Sequence, residues 1–416
     1  MNSAPASQTS ESTAPAEQKR GSLRAVEASN FFLADVQTGL GPFVAAYLAS
    51  EGWAPDHVGR ALTTAGLVTV LLQSPAGWLV DRAHHKRTIL LLGTLLLAAG
   101  ALLLASSTKA FTVYSAQALI GAAGPFLAPT LAAITMGIVG IKLFDRQFGR
   151  NQGFNSAGNL FAAGMVALTS HFFGNRAIFI AAALLSVPTI VSVLNIRRDD
   201  IDYQLARGGC EDEDKQDSGW TVLKALATDR TLLIFLLCGM LFHLANAAML
   251  PQLGELLAHG RPAAAAPFMS VCIAVTQTII MLSAAWVGRL ANQYGRKPLL
   301  LIGFGILPIR AVLYTVFHAV PALLAVQTLD GVANSIFGVV SILVIADRTR
   351  GSGRFNLAQG TLATAVGIGA AFSPLLGGIL IAKIHFSASF LVLGGVAAVA
   401  FLVLLLFVPE TRMREA

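Results

Sequence analysis

The sequence predicts an all-α membrane protein with twelve transmembrane helices in two pseudo-symmetric six-helix bundles. Three observations predict it. Hydrophobic residues make up 55% of the 416-residue chain and charged residues only 12%, about half the charge of a soluble domain. The apolar residues fall into twelve segments of roughly the 20 residues that span about 30 Å of hydrocarbon. A short basic loop between two such segments occurs twice, 211 residues apart, which marks a duplicated chain.

Taken in order, residues 1–27 open with a stretch rich in Ser, Ala, Thr, Pro and Glu that lacks the apolar core of a signal peptide. They read as a disordered cytoplasmic tail. Residues 28–196 form the first bundle, with spans at 28–50, 58–80, 88–106, 110–140, 152–173 and 176–196. Residues 197–230 are a polar cytoplasmic linker carrying Arg197-Arg-Asp-Asp200 and Glu211-Asp-Glu-Asp214, with an interfacial helix expected over 220–226. The second bundle, 231–408, has spans at 231–253, 266–290, 298–317, 320–346, 355–382 and 386–408, and residues 409–416 are a cytoplasmic tail. The fourth and tenth spans are long enough to tilt.

Lys and Arg placement orients the chain with both termini in the cytoplasm. The outer segments then hold five basic residues, Arg60, Lys109, Arg176, Arg261 and Lys383; Arg310 is within a span, and the other 23 of 29 are inside. The formal charge of +7 is confined to loops, a poor basis for nucleic-acid binding. Of the three cysteines, Cys210 is in a charged loop and Cys238 and Cys272 are in apolar runs, which is not a disulfide framework.

The repeated loops are Gly77-Trp-Leu-Val-Asp81-Arg82-Ala-His-His-Lys86-Arg87 and Gly288-Arg-Leu-Ala-Asn292-Gln-Tyr-Gly295-Arg296-Lys297. They resemble the loop 2–3 signature of the major facilitator superfamily, Gly-x-x-x-Asp-Arg-x-Gly-Arg-Arg/Lys. The first copy has His84 where the family has its second Gly, and the second has Asn292 for the Asp. Two further echoes support the duplication: Gln117-Ala-Leu-Ile-Gly121 with Gln327-Thr-Leu-Asp-Gly331, and Asp145-Arg146 with Asp347-Arg348. The resemblance, to a bacterial-type twelve-helix member, covers roughly residues 28–410. It implies a secondary transporter that alternates access by rocking its two bundles about a central site.

The resemblance also assigns a cytoplasmic gate: Gly77, Asp81, Arg82, Lys86, Arg87, Asp145, Arg146, Gly288, Asn292, Arg296, Lys297, Asp347 and Arg348. Asp81 is expected to meet the start of helix 11 near Arg354 when the carrier faces outward, since the positive dipole end of that helix attracts a carboxylate. Arg82, Lys86 and Arg87 are expected to pair with acids such as Asp145 or Asp347. The symmetric Asn292 supplies no charge.

Ionisable groups inside a bilayer are costly and mark function by default. Asp35, with Gln37 on the same span, is the expected proton site, since the first helix lines the cavity by resemblance; the bland alternative is a packing Asp satisfied by neighbours. Asn246 stands opposite Asp35 at the 211 shift. Arg310 in the ninth span needs a partner, and Asp330 in the tenth is the best one. Asp330, Asn334 and Gly338 form an i, i+4 row. Gln117, His243 and Gln327 complete the cavity candidates. Asn151, Asn155 and Asn159 make a stripe best explained by helix–helix hydrogen bonds.

Cys238, Met240, His243, Met249, Met269 and Cys272 are soft ligands that would suit copper. At 1.5 Å per residue Cys238 and Cys272 lie at opposite depths, however, and core packing explains them better. Drug antiporters of the superfamily carry Arg-x-x-Gln-Gly in helix 4 and Gly-Pro-x-x-Gly-Gly in helix 5; both are missing here. No phosphate loop, nucleophile elbow or His-Glu-x-x-His motif is present, so the chain does not read as an enzyme and no cofactor is called for. The reading is a monomer in the lipid bilayer of the bacterial inner membrane, moving a small organic solute with protons. The alternatives are a metal or metal-chelate (siderophore-like) carrier and a non-transporting receptor or sensor.

Overall fold

The computed structural model describes residues 14–38, 40–207, 229–349 and 355–412. These residues form helices and loops without a strand. In the first half lie α1 (Ala14–Thr38), α2 (Leu40–Ser50), α3 (Pro55–Arg82), α4 (Lys86–Ser106), α5 (Ala110–Val139), α6 (Ile141–Phe173) and α7 (Arg176–Asn195). In the second lie α8 (Arg230–Asn246), α9 (Met249–Gly260), α10 (Pro262–Tyr294), α11 (Arg296–Val316), α12 (Val320–Thr349) and α13 (Phe355–Phe407).

Eight stretches among the described residues are long and apolar enough to cross a membrane. One of them, Ala358–Phe407, has 50 residues and would reach roughly 75 Å as one helix, over twice the hydrocarbon thickness. It breaks at His385, which sits at φ 66. The helices expose large apolar side chains such as Leu71, Phe111, Leu168 and Trp286, as expected where the solvent is lipid.

The first segment of the second half is carried by two helices, α8 and α9, joined by a turn at Ala247–Ala248. Pro251 sits three residues into the second piece and has no N–H for the Ala247 carbonyl, which fits an interruption there.

The N-terminal expectation needs correcting. Residues 14–27 belong to α1, and Ser22 and Glu27 are buried. The Ser22 hydroxyl donates to Asp200 (2.5 Å) and accepts from the Arg197 N–H (3.0 Å), while the Lys19 ammonium donates to the Ile138 carbonyl. These polar residues made the segment look like a free tail, yet they are what dock it on the ends of α5 and α7. Residues 1–13, and the expected helix over 220–226, lie outside the described residues.

Each half has its own apolar core, one built from Val26, Leu90, Leu127 and Phe179, the other from Phe235, Phe242, Phe304 and Leu404. The halves meet through apolar surfaces. Phe43, Val166 and Ile178 join Met249, Leu253 and Phe268 in one cluster, and Ala46 and Ala49 pack on Ala258 and Ala265 in another. Alongside runs a backbone-close seam between α3 and α13, from Pro55 and Gly378, past Gly59 with Pro374 and Gly66 with Ala371, to Val70 and Gly367. These clusters and this seam bring together mainly apolar side chains and backbone, with Gln73 Oε1 beside Gly367; among the described residues no ion pair joins the halves there, the Asp56 pairs with His57 and Arg60 staying within α3. The Ala49–Ala258 end lies opposite the end where α1 docks and where Arg412 donates to the Gln293 carbonyl (2.7 Å).

Candidate functional site

Arg310 is fully buried in α11. An arginine stays charged at any relevant pH, so its surroundings must supply acceptors. Asp330 of α12 provides one carboxylate oxygen in direct hydrogen-bonded contact with Nη1, and Asn246, at the end of α8, provides its Oδ1 at 2.8 Å. The guanidinium also stacks over the Tyr314 ring, 5.4 Å from its centre.

The carboxylate of Asp330 is held from several sides. Its Oδ1 also accepts from Asn334 Nδ2 (2.9 Å), and its Oδ2 accepts from Gln327 Nε2 (3.0 Å) and the Thr276 hydroxyl (3.3 Å). Gln327 Nε2 reaches Thr276 as well (2.9 Å), and Gln327 Oε1 accepts from Tyr314 (2.5 Å). Four helices thus converge: α8 through Asn246, α10 through Thr276, α11 through Arg310 and Tyr314, and α12 through Gln327, Asp330 and Asn334. The i, i+3 and i+4 spacing of Gln327, Asp330 and Asn334 puts all three on one face.

The cluster is incomplete in one respect. Arg310 Nε and Nη2 are buried and have no hydrogen-bond partner among the described residues. A buried cation with spare donors at a helix junction can take a water, or an anionic or carbonyl oxygen of a solute.

Thr276 and Tyr314 escape sequence reasoning because neutral residues within a span carry no charge signal. Tyr314, four residues after Arg310, could have been found by helical spacing; Thr276 had no such mark.

The other candidates are dispersed. His243 Nδ1 lies 3.1 Å from the Gly239 carbonyl, and its ring packs edge-on to Phe337. Gln117 is buried with Nε2 unpartnered among the described residues. Asp35 and Gln37 lie in α1, but their side chains are outside the described residues. Met249, Met269 and Cys272 share one apolar cluster, while Cys238 belongs to another.

The repeated loops carry out the same work twice. Lys86 donates to the Val80 carbonyl (2.5 Å) and Arg296 to that of Ala291 (2.8 Å), each closing the helix before it. Arg87 donates to the carbonyls of Val193 and Leu194 (3.3 and 2.8 Å), and Lys297 to that of Leu405 (2.8 Å), each closing the last helix of its half. Cations at helix C-termini offset the exposed carbonyls. Arg87 therefore serves its own half; of the two acids offered as partners for the basic loop, Asp347 is taken by Arg296, and the side chain of Asp145 is outside the described residues. Asp347 accepts from Arg296 Nε (3.0 Å), Asn292 Oδ1 accepts from Arg296 Nη1 (3.0 Å), and Arg348 pairs with Asp229 (2.6 Å). Gly77 and Gly288 have room for a side chain, and Arg146 is exposed. The side chains of Asp81 and Asp145, and residue Arg354, are outside the described residues.

Gly295 does need to be glycine. Its φ is +105, and a Cβ there would sit 2.5 Å from Glu410, whose carboxylate accepts from the backbone N–H groups of Arg296 and Lys297 (2.9 and 3.0 Å). Burial pushes the Glu410 carboxyl up, but the N–H groups of Arg412, Arg296, Lys297 and Thr411 together hold it below the usual carboxylate range. Asp229 behaves alike: burial raises it, and Arg348 with the Leu232 and Thr231 N–H groups brings it below. Both groups are depressed, so the stability they add is present above the ordinary carboxylate range and is lost as pH falls through their folded values.

Known proteins share this architecture. The sequence profile of the Major Facilitator Superfamily matches residues 28–307 and 278–416. Two Mycobacterium tuberculosis proteins, the uncharacterized MFS-type transporters MT2531 (strain CDC 1551 / Oshkosh) and Rv2456c (strain ATCC 25618 / H37Rv), are each 40% identical over 393 residues, covering 93% of this chain and 93% of theirs. Among solved structures, the nucleoside transporter NupG superposes with TM-score 0.75 at 16% identity, over 93% of this chain and 98% of that one. A POT family transporter in complex with a thioalcohol-conjugated peptide gives 0.73 at 14% identity, over 94% and 96%. At such identities these structures speak for the fold.

Proposed function

Since the chain belongs to the major facilitator superfamily, a family of secondary transporters rather than enzymes, we propose that it moves a small organic solute by alternating access, driven by protons. The observation that carries this reading is the mainly apolar, glycine-rich contact between halves, concentrated toward the end opposite the termini. Apolar surfaces can part without stranding polar groups, and a contact of this kind is what a rocking carrier must break and remake. The proposal divides the chain into bundles 28–196 and 231–408, with twelve crossings and the 197–230 linker in the cytoplasm. It places a monomer in the bacterial inner membrane with both termini inside. With that orientation the closed end faces outward, as it does in an inward-facing carrier.

In this reading the Arg310–Asp330 cluster is the solute-facing polar centre of the second half. The spare donors of Arg310 suit a carbonyl or carboxylate oxygen, and Asn246, His243, Gln327 and Asn334 flank it. Purified protein in liposomes under an imposed pH gradient tests the function, screened against nucleosides, short peptides, metabolites, siderophores and metal ions. Accumulation above the equilibrium level, abolished by a protonophore, is the expected result. Binding without accumulation would make the protein a receptor.

Asp35 is assigned the coupling proton. Asp35→Asn keeps the shape and removes the titratable group, so pH-driven uptake should collapse while solute binding, read by thermal shift, largely survives. Wild-type pH-driven transport in that variant would remove Asp35 from the mechanism.

The two loop copies are assigned unequal roles. Asp81 is assigned a dipole–carboxylate contact with the helix start near Arg354 that forms in the outward-facing state, worth about 0.3–1 kcal/mol and enough for a severalfold shift of a balanced equilibrium. Asp81→Asn should therefore populate the inward-facing state, and Asn292→Ala should do so less. Cysteine labelling from the cytoplasmic side reads both, and a larger response to Asn292→Ala would reject the assignment.

A further inference from the structure

Behind the closed end lies an acid that the transport reading leaves unused. Glu255 of α9 is 3% exposed, and its Oε2 is buried without a hydrogen-bond partner among the described residues. The sequence reading ended the seventh span at residue 253, which put Glu255 in a loop; the structure continues the apolar segment through α9 to Gly260. Three residues earlier on α9, Gln252 is equally buried, with Oε1 accepting from Ser389 (3.2 Å) and Nε2 unpartnered.

Among the described residues no charge compensates Glu255. On its own helix the nearest titratable group is His259, exposed, with its ring nitrogen against the Glu255 main-chain carbonyl (2.8 Å). The facing helix α2 offers Tyr47, whose ring packs on Phe179, and just past its end Glu51, which is paired with Arg176 (3.7 Å). From α10 come exposed Arg261 at its cap and Cys272 inside the apolar cluster. From α13 come Lys383 and His385, both exposed, and from α8 His243, bonded to Gly239. An ionised carboxylate sealed among these would cost several kcal/mol that nothing repays.

Glu255 also sits where the halves separate. One turn further along α9, Ala258 packs on Ala46 and Ala49 of α2. Ala258 and His259 also line a cavity of about 460 Å³ with Ser50, Trp53 and Pro55 of the first half. Water thus reaches within a turn of Glu255 even when this end is shut, and parting α2 from α9 would wet it.

We propose that Glu255 carries a proton that gates this end of the transporter: the α2–α9 seam closes over the neutral acid and opens as the carboxylate. The proton comes from water at that end, which gives it up to the open, ionised carboxylate, and returns to water when the seam reopens. The inference rests on the alternating-access reading and adds a second acid to Asp35. Low pH favours closure and high pH favours opening, and a single proton allows up to about a tenfold change in the open-to-closed ratio per pH unit.

The test uses full-length protein in liposomes without solute, protons being the probe. With the native cysteines replaced, spin labels at Ala54→Cys and Gly260→Cys, both exposed and on opposite halves, report the distance across the cavity. The wild-type background should open with rising pH, approaching that tenfold limit, and Glu255→Gln should stay closed at every pH. His259→Gln should leave the pH response intact. The proposal is overturned by a pH response that survives Glu255→Gln, by its loss in His259→Gln alone, or by no pH response in the wild type. A distance that ignores pH and, in a second run, stays fixed when nucleosides, short peptides and metabolites are added would instead count against alternating access itself. Glu255→Gln stability is checked by thermal unfolding, and Glu255→Asp, which keeps the acid, should restore the pH response.

Discussion

Neutralising either member of the Arg310–Asp330 pair is expected to cost about 3–5 kcal/mol of stability, the usual penalty for stranding a buried charge. The two losses should be unequal. In Arg310→Gln the remaining Asp330 keeps donors from Thr276, Gln327 and Asn334, and a carboxylate can also neutralise itself by binding a proton. In Asp330→Asn the remaining guanidinium is fully buried and cannot shed its charge. Asp330→Asn should therefore be the more damaging. The double variant Arg310→Gln, Asp330→Asn leaves no buried charge and should recover part of the loss. Thermal unfolding of the purified variants measures all three. Strictly additive losses would show that the pair does not act as a unit.

The second large effect is expected at the α3–α13 seam. A Cβ on Gly59 would clash with the Pro374 carbonyl, and one on Gly378 with that of Pro55. Both obstacles are backbone, so they cannot swing aside. Overpacking of this kind costs about 1–3 kcal/mol, all of it in the closed arrangement, so Gly59→Val should lower the closed-to-open ratio by roughly five- to 150-fold. Gly395→Val is the control, since nothing lies within 4 Å of its Cβ. Label distances across the Ala54–Gly260 cavity report the shift, and an unchanged closed population in Gly59→Val would mean that the seam yields in some other way.

What the sequence disclosed depended on how strong its signals were. Apolar runs and a repeated basic loop are long-range patterns that survive divergence, so the membrane class and the duplication could be read directly. The partnership of Arg310 and Asp330 followed because a charge inside a span demands another within reach. The division of labour at the loops was less visible. Arg87 and Lys297 point at carbonyls, which every residue has, so no sequence pattern names their targets. Composition misled at residues 14–27, where Ser22 and Lys19 look solvent-seeking but find buried acceptors. Glu255 was not legible because it lies near the end of an apolar run, just after Pro251, where a charge reads as the start of a loop.

The central claim is that two halves of this chain rock so that one end opens as the other closes. Paired spin-label distances measure this directly without knowledge of the solute. One pair, Ala54→Cys with Gly260→Cys, spans the closed end; the other, Gly149→Cys with Gln293→Cys, spans the end of the termini, and all four sites are exposed. The account predicts two populations at each end, with every perturbation that lengthens one distance shortening the other. A single fixed distance at both ends, or two ends that open together, would contradict it.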